Sequence, residues 1–270
     1  MRRIIALAAM FAGTATVIAC GGESKAGVKG DSSAATVAAA AKPQTTKGDL
    51  PVATTVQWTP MIDAKMSQWR AWKGDAMPSG WVVTDSMISK DGLVSDLESR
   101  AQYANFELEF DWKIGKVGNS GVFYRVTEEY DKPYWSAPEY QLRDKSMDPK
   151  GENLLLASGS AYGVIAPPAE VTKPLDEWNS ARIVVSGNFV EHWLNGQQVV
   201  QYQLTSPEWA AKVKATKFAD FPNYGLARRG FISIQGDHPG QLSIRGMRIR
   251  ELPRPPPPPA AAQFASASRR

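Results

Sequence analysis

The stretch Asn105-Phe106-Glu107-Leu108-Glu109-Phe110-Asp111-Trp112-Lys113-Ile114 decides the fold class. Phe106, Leu108, Phe110, Trp112 and Ile114 fall on one face, while Glu107, Glu109, Asp111 and Lys113 fall on the other. Successive side chains of a strand point to opposite faces, so this alternation means a strand with one side buried. Ser120 to Val126 repeats it, with Val122, Tyr124 and Val126 opposite Gly121, Phe123 and Arg125. Further on, Arg182–Val185 and Phe189–Leu194 flank the turn Ser186-Gly187-Asn188, and Asn195-Gly196 leads into Gln198–Leu204. Asn-Gly supplies the positive φ angles that a tight hairpin requires. Gly230–Gln235 and Gln241–Glu251 read as another strand pair. The one capped helical stretch is Ser206–Val213, with Ser206 as N-cap and Pro207 at the first helical position. Many short antiparallel strands with Gly-rich turns predict an all-β jelly-roll sandwich.

The chain around these strands has 270 residues, 43% hydrophobic and 21% charged, which excludes a wholly disordered chain and a multispan membrane protein. Nine Trp and a 10% aromatic share favour a β-sandwich or a sugar-facing surface. The net charge of +4 is not gathered into a basic stripe, so no nucleic-acid partner is expected. At the start, Met1-Arg2-Arg3 precedes an apolar run from Ile4 to Ile18, too short to span a bilayer comfortably and suited to a signal peptide. The only cysteine, Cys20, follows Val17-Ile18-Ala19 and precedes Gly21-Gly22, an arrangement that resembles the bacterial lipoprotein box. That resemblance implies lipidation of Cys20 and a membrane anchor; Gly22 in place of Asp favours the outer membrane, facing the periplasm. The expected organisation is a signal peptide over 1–19, a lipidated Cys20 and flexible tether over 20–53, one domain over 54–252, and a Pro-rich tail over 253–270.

No Gly-rich phosphate loop, paired Cys, His-Glu-x-x-His or Gly-x-Ser-x-Gly is present. With Cys20 assigned to lipidation, the chemistry falls to carboxylates, two His and Asn, Gln or Arg groups. In Glu139-Tyr140-Gln141-Leu142-Arg143-Asp144, a strand puts Glu139, Gln141 and Arg143 on one face and Tyr140 and Leu142 in the core. A carboxylate, an amide and a guanidinium in line can grip hydroxyls and move a proton, or can be the solvated face of an edge strand. Asn119-Ser120-Gly121, followed by Arg125, reads first as a turn entering a strand. His192 shares a face with Val190 and Leu194 and reads as a core residue, whereas His238 sits beside Asp237 in the loop Gln235-Gly236-Asp237-His238-Pro239-Gly240. Tyr134 and Trp135 offer a stacking platform for a sugar ring or a plug for the sandwich edge. The row Glu107, Glu109 and Asp111 reads as a solvated strand face.

Five motifs in register then carry a family resemblance. Asn119-Ser120-Gly121-Val122-Phe123-Tyr124-Arg125, Glu139-Tyr140-Gln141-Leu142-x-Asp144, Trp178-Asn179, His192-Trp193-Leu194-Asn195-Gly196, and Gly230-Phe231-Ile232-Ser233-Ile234-Gln235 with Asp237-His238 resemble the 3-keto-disaccharide hydrolase domain family. The family is also described as 3-keto-glucoside 1,2-lyase/3-keto-2-hydroxy-glucal hydratase, and the similarity spans Trp58 to Leu252. In this chain Gly236 and Pro239 are interposed in the closing Gln-Asp-His-Gly pattern, and Ile244-Arg245-Gly246-Met247 stands for Phe-Arg-Asn-Ile. The resemblance implies a jelly roll akin to the concanavalin A-like lectins and glucanases. It also implies cleavage of 3-keto-glycosides by C2-proton abstraction and 1,2-elimination, with hydration of the resulting glucal.

On that basis Glu139 or His238 takes the acid and base roles, and Arg125 or Gln141 stabilises the enolate. Asn119, Gln141, Tyr134, Trp135 and Gln235 are expected to contact the sugar. Asp144 and Asp237 are expected to orient these groups or hold a divalent cation, the one cofactor the chemistry could add. The substrate needs prior oxidation at C3, which implies a sugar 3-dehydrogenase as functional partner. The competing readings are a non-catalytic carbohydrate-binding lipoprotein with a lectin-like sandwich, and an envelope scaffold with no small-molecule site.

Overall fold

A computed structural model describes residues 57–255, so the segments expected to be a signal peptide (1–19) and a tether with Cys20 (20–53), and residues 256–270 of the tail, lie outside the described residues. The strands run β1 (Thr59–Pro60), β2 (Trp69–Ala71), β3 (Val82–Thr84), β4 (Met87–Asp91), β5 (Leu97–Tyr103), β6 (Phe106–Ile114), β7 (Asn119–Val126), β8 (Glu139–Arg143), β9 (Asn179–Ser186), β10 (Phe189–Leu194), β11 (Gln197–Gln203), β12 (Gly230–Ile234) and β13 (Gln241–Glu251). A helix, α1 (Pro207–Lys214), separates β11 from β12, and the Ser206 hydroxyl accepts from Trp209 N to cap it.

Two antiparallel sheets result, which is the expected sandwich. One has the order β11-β10-β9-β6-β13-β4-β3, with β1 on β13; the other is β2-β5-β12-β7-β8. The apolar face of β6 fills the space between them: Phe106, Leu108 and Trp112 are wholly buried, and Phe110 and Ile114 nearly so. Val122 and Tyr124 of β7, Tyr140 and Leu142 of β8, and Ile232 and Ile234 of β12 meet them from the second sheet. Burial of one such side chain contributes about 1.5–3 kcal/mol, so the alternation read in β6 fixes which face of the sheet is inside. Asn195 and Gly196 both have positive φ, as the Asn-Gly hairpin requires.

Two expectations change in the structure. The alternation of β7 fails at Arg125, because β12 pairs Ile232 with Tyr124 and Phe231 with Val126, leaving Arg125 as a bulge at φ +59°. Val126 is thereby turned to the Phe123 side, where it packs with Ala137. The acidic row of β6 is not simply solvated either. Glu107 is buried between Arg182 and Arg250, while Glu109 pairs with Arg248 at 2.6 Å and Asp111 with Arg245 at 3.2 Å. Trp58, Trp178 and Trp193 lie against these guanidinium groups, so the outer face of the larger sheet is a closed ladder of ion pairs and aromatic rings.

His192 is the core residue that its neighbours suggested. Nδ1 faces the Gly159 carbonyl at 2.9 Å, which fixes the tautomer and leaves Nε2 to accept from the Tyr124 hydroxyl at 2.8 Å. Burial pushes its pKa down to about 4, so it is neutral and structural.

Candidate active site

The site is built on the outer face of the smaller sheet, where β7 and β8 pair Asn119 with Arg143, Gly121 with Gln141 and Phe123 with Glu139. Period two sends Tyr140 and Leu142 into the core, so Glu139 and Gln141 must face outward. They are not solvated, however: Glu139 is 5% exposed and Gln141 1%. Beyond the edge strand, Gln141 N donates to Ser160 O and Tyr162 N to Glu139 O, and this returning loop covers the edge. Gly121 is required beneath the carboxylate, because a Cβ there would overlap Glu139 Oε1.

Glu139, Gln141, Asn119, Gln235 and His238 line one polar cleft of about 110 Å³, walled by Tyr134, Tyr162 and Lys217. The Gln141 amide, oriented to match its neighbours, donates to Glu139 Oε1 and to Ser120 O, each at 2.9 Å. Gln235 is held by its backbone, with N donating to Gly121 O and O accepting from Ser120 Oγ, which leaves its side-chain amide at the cleft. The loop after it is fixed from below. Asp96 Oδ1 accepts from Gly236 N and Asp237 N, and the buried Lys90 ammonium donates to the His238 carbonyl at 2.7 Å. Gly236 is part of this fit, since a side chain there would strike Ser95 O and Val94. The interposed glycine is thus where the loop packs closely, and His238 still reaches the cleft.

The charges in the cleft fall into two classes. Burial pushes the Glu139 carboxyl up to about 8; the Lys217 cation opposes that rise, and the carboxylates of Asp96 and Asp237 add to it. No ion pair or arginine bond compensates Glu139 among the described residues. Asp237 is the opposite case. Its bond to His238 Nδ1 at 2.8 Å lowers its pKa to about 2, against a burial effect of the other sign and with help from Lys132 Nζ at 2.7 Å. An ionised Asp on Nδ1 holds the imidazole with Nε2 free for proton transfer.

Three sequence-based assignments are corrected. The Arg125 guanidinium donates to the backbone carbonyls of Ala104 and Gly187, held there by the bulge, and takes no part in lining the cleft. Trp135 stacks on Phe221 at 5.1 Å and supports Tyr134 from behind. The Asp144 carboxylate caps a short 3₁₀ turn by accepting from Ser146 N, Ser146 Oγ and Val117 N. Those bonds outweigh the effect of burial and keep its pKa low, so it neither orients Arg125 nor offers free oxygens to a cation. Among the described residues no group of three or more His, Cys, Asp or Glu converges as metal ligands.

A family model described as a 3-keto-alpha-glucoside-1,2-lyase-like domain matches residues 57–250, which spans both sheets and every cleft residue named above. The chain belongs to this family. The 3-keto-disaccharide hydrolase of Bacteroides thetaiotaomicron is 29% identical over 291 aligned positions, covering 93% of this chain and 100% of the relative. A solved structure of a candidate glycosyl hydrolase from Parabacteroides distasonis covers 73% of this chain and 94% of its own, at 31% identity and a TM-score of 0.66. A second from the same organism, at 27% identity and a TM-score of 0.57, is matched over its full length.

Within this lyase-like domain, only part of the motif set is at the cleft. Asn179 accepts from Lys173 N and from Asn195 Nδ2, and Asn195 in turn accepts from Ser180 N, so those motifs brace the larger sheet. Three cleft residues, Tyr134, Tyr162 and Lys217, lie outside the motifs. Lys217 Nζ stands 4.8 Å from the Tyr162 ring and 5.8 Å from the Tyr134 ring. Its neighbour Phe218 stacks on Tyr224 at 4.3 Å, and Tyr224 on Trp209 of α1, so an aromatic column fixes the turn that carries the cation. Nothing in the sequence separates Lys217 from the other exposed lysines; only the fold-back of its loop does.

Proposed function

We propose that the protein cleaves 3-keto-α-glucosides by 1,2-elimination and hydrates the glucal so formed. The observation that carries this reading is Glu139: a buried carboxyl near pKa 8 that makes no ion pair among the described residues and lines the same cleft as an Asp-oriented imidazole. A module that only binds sugar has no use for so costly a group, whereas proton abstraction beside a ketone needs a base stronger than an ordinary carboxylate.

The C3 ketone acidifies the C2 hydrogen. Glu139 takes that proton, and the C–H electron pair moves into an enolate whose charge rests on the C3 oxygen. Lys217, at the rim of the cleft, and the Asn119 amide supply positive charge and a donor for that oxygen, in the role first given to Arg125 or Gln141, because both Gln141 N–H donors are held by Glu139 and Ser120. The enolate then forms the C1=C2 double bond and expels the C1 glycosidic oxygen, which takes a proton from His238. For hydration, His238 accepts a proton from water as it adds at C1, and Glu139, once its proton has exchanged with solvent, delivers a solvent-derived proton to C2. Atoms and charges balance without an external oxidant, and no oxocarbenium ion is formed. Tyr134 and Tyr162 supply the apolar walls against which a pyranose ring lies.

The setting belongs to the same proposal: Cys20 lipidated, the domain at the outer membrane facing the periplasm, and a sugar 3-dehydrogenase supplying the ketone. The test is to incubate the protein with methyl 3-keto-α-glucoside and with its unoxidised parent. Release of methanol from the keto form alone is expected, and equal release from both overturns the elimination route. A parallel arm with EDTA reads out any divalent cation that works beside Lys217. Saturable sugar binding with no release from either substrate returns the carbohydrate-binding reading.

A further inference from the structure

The loop 236–240, which carries His238, has no regular secondary structure, yet its backbone is held along its length. Gly236 N and Asp237 N donate to Asp96 Oδ1 at 2.7 and 3.2 Å, Gly236 O accepts from Val94 N at 3.0 Å, and Pro239 O accepts from Asn119 N at 3.4 Å. The carbonyls of His238 and Gly240 share one partner. Lys90 Nζ donates to His238 O at 2.7 Å and to Gly240 O at 3.4 Å, and completes its set on Gly92 O at 3.0 Å. Gly240, at φ +86°, lies so close to Gly118 that a Cβ would overlap its backbone, so the loop sits directly on the approach to β7.

Lys90 is a costly residue for that place. With Ile88 it points inward from β4 of the larger sheet and is 3% exposed. Burial lowers its pKa, and the carboxylates of Asp237, Asp91 and Asp96 oppose that fall. Neutral carbonyls offset only part of the cost of burying an ammonium, and a methionine would pack a similar volume with no charge to bury. What the cation supplies is a tie between the sheets. It reaches from the larger sheet to the carbonyls of the loop, while Asp96, at the entrance to β5 of the smaller sheet, takes the amides. We infer that Lys90 is a positioning residue, which holds the His238 backbone so that the imidazole lines the cleft with Asp237 on Nδ1 and Nε2 free for the leaving oxygen. The inference rests on the elimination reading given above, in which His238 protonates that oxygen. Lys90 itself does not line the cleft and acts only through the carbonyls it holds. Without it those carbonyls turn to solvent for their partners, and the imidazole moves with them.

The experiment compares wild type with Lys90→Met on two substrates. Methyl 3-keto-α-glucoside expels an alkoxide, which needs a proton from the acid, whereas 4-nitrophenyl 3-keto-α-glucoside expels a phenolate that is stable without one. The kcat for the methyl glycoside is expected to fall about 10²-fold, the scale of displacing a catalytic group by about 1 Å, while release of 4-nitrophenol falls less than about threefold. The chain has only two histidines, so imidazole 1H–15N NMR of the tag-free protein gives a second readout. The His238 resonances should shift or broaden, and those of His192, buried in the core, should stay in place. Unmoved His238 resonances, an equal loss on both substrates, or a methyl-glycoside kcat within about twofold of wild type overturns the inference. If wild type cleaves neither substrate, the elimination reading falls, and the NMR comparison alone decides the positioning. If Lys90→Met does not fold by circular dichroism, Lys90→Gln, whose polar end is one atom shorter and uncharged, is read in the same way.

Discussion

Carboxylates, cations and aromatic rings are set together on both outer faces of this sandwich. On the larger sheet, Glu107, Glu109 and Asp111 each meet an arginine, and three tryptophans cover the guanidinium groups. On the smaller sheet, Glu139 is buried without an ion pair, and its pKa rises to about 8. The residue types are alike; what differs is compensation. Burial without an ion pair lets Glu139 hold its proton near neutral pH. Glu98 on the same sheet is also pushed up to about 8 by burial, although Arg70 pairs with it at 2.6 Å, so what sets Glu139 apart is its place in one cleft with His238. The candidate base is marked by burial together with its neighbours in the cleft, and composition does not reveal it.

The largest break in that comparison is Glu139→Gln, which keeps the shape and the bond to Gln141 while removing the base. Turnover of a 3-keto-α-glucoside is expected to fall roughly 10³–10⁴-fold with an unchanged circular dichroism spectrum. The same variant tests the electrostatic cost. A carboxyl whose folded pKa is raised from 4.5 to about 8 stabilises the fold below its unfolded pKa and loses that contribution as pH rises through about 8. Between those values wild type should therefore lose stability relative to Glu139→Gln, by at most about 5 kcal/mol, in parallel denaturant titrations. Because Glu139 acts ionised, wild-type kcat/KM should rise as pH approaches about 8.

Removing the nearby cation sharpens the contrast further. Lys217→Met should lower kcat about 10²-fold, the low end for one stabilising donor because Lys217 reaches solvent, and should move the rising limb of the pH profile upward. The smallest effect is expected on the other face. Arg248→Ala unpairs Glu109 in a half-exposed site, which should cost no more than about 1 kcal/mol in stability and leave kcat/KM as it was. A large loss of activity there would erase the distinction between the two faces.

How much of this could be read from the sequence follows the same physics. The β6 alternation and the Asn195-Gly196 turn are local signals, and both strands and hairpin formed where expected. Glu139, Gln141, Asn119, Gln235 and His238 were legible because strand pairing or the closing loop carries their motifs to one end of a sheet. Arg125 was misplaced because a single bulged residue reverses the face of everything after it, and alternation cannot report a bulge. Asp144 and Trp135 looked like site residues by adjacency, but one caps a turn and the other packs on Phe221. Lys217 and Tyr162 come from loops that fold back over the sheet, a long-range arrangement with no local pattern. Ion pairing on β6 was likewise hidden, since the arginines that close it come from β9 and β13.

The central claim is that Glu139 moves the proton at C2, and isotope exchange tests it most directly. Wild type and Glu139→Gln would each be incubated with methyl 3-keto-α-glucoside in D2O, and the 3-keto-glucose product examined by NMR for deuterium at C2, against an enzyme-free control. The account predicts one deuterium at C2 in every wild-type turnover and neither product nor incorporation with Glu139→Gln. Product that keeps its original C2 hydrogen would mean direct hydrolysis at C1 and would contradict the account.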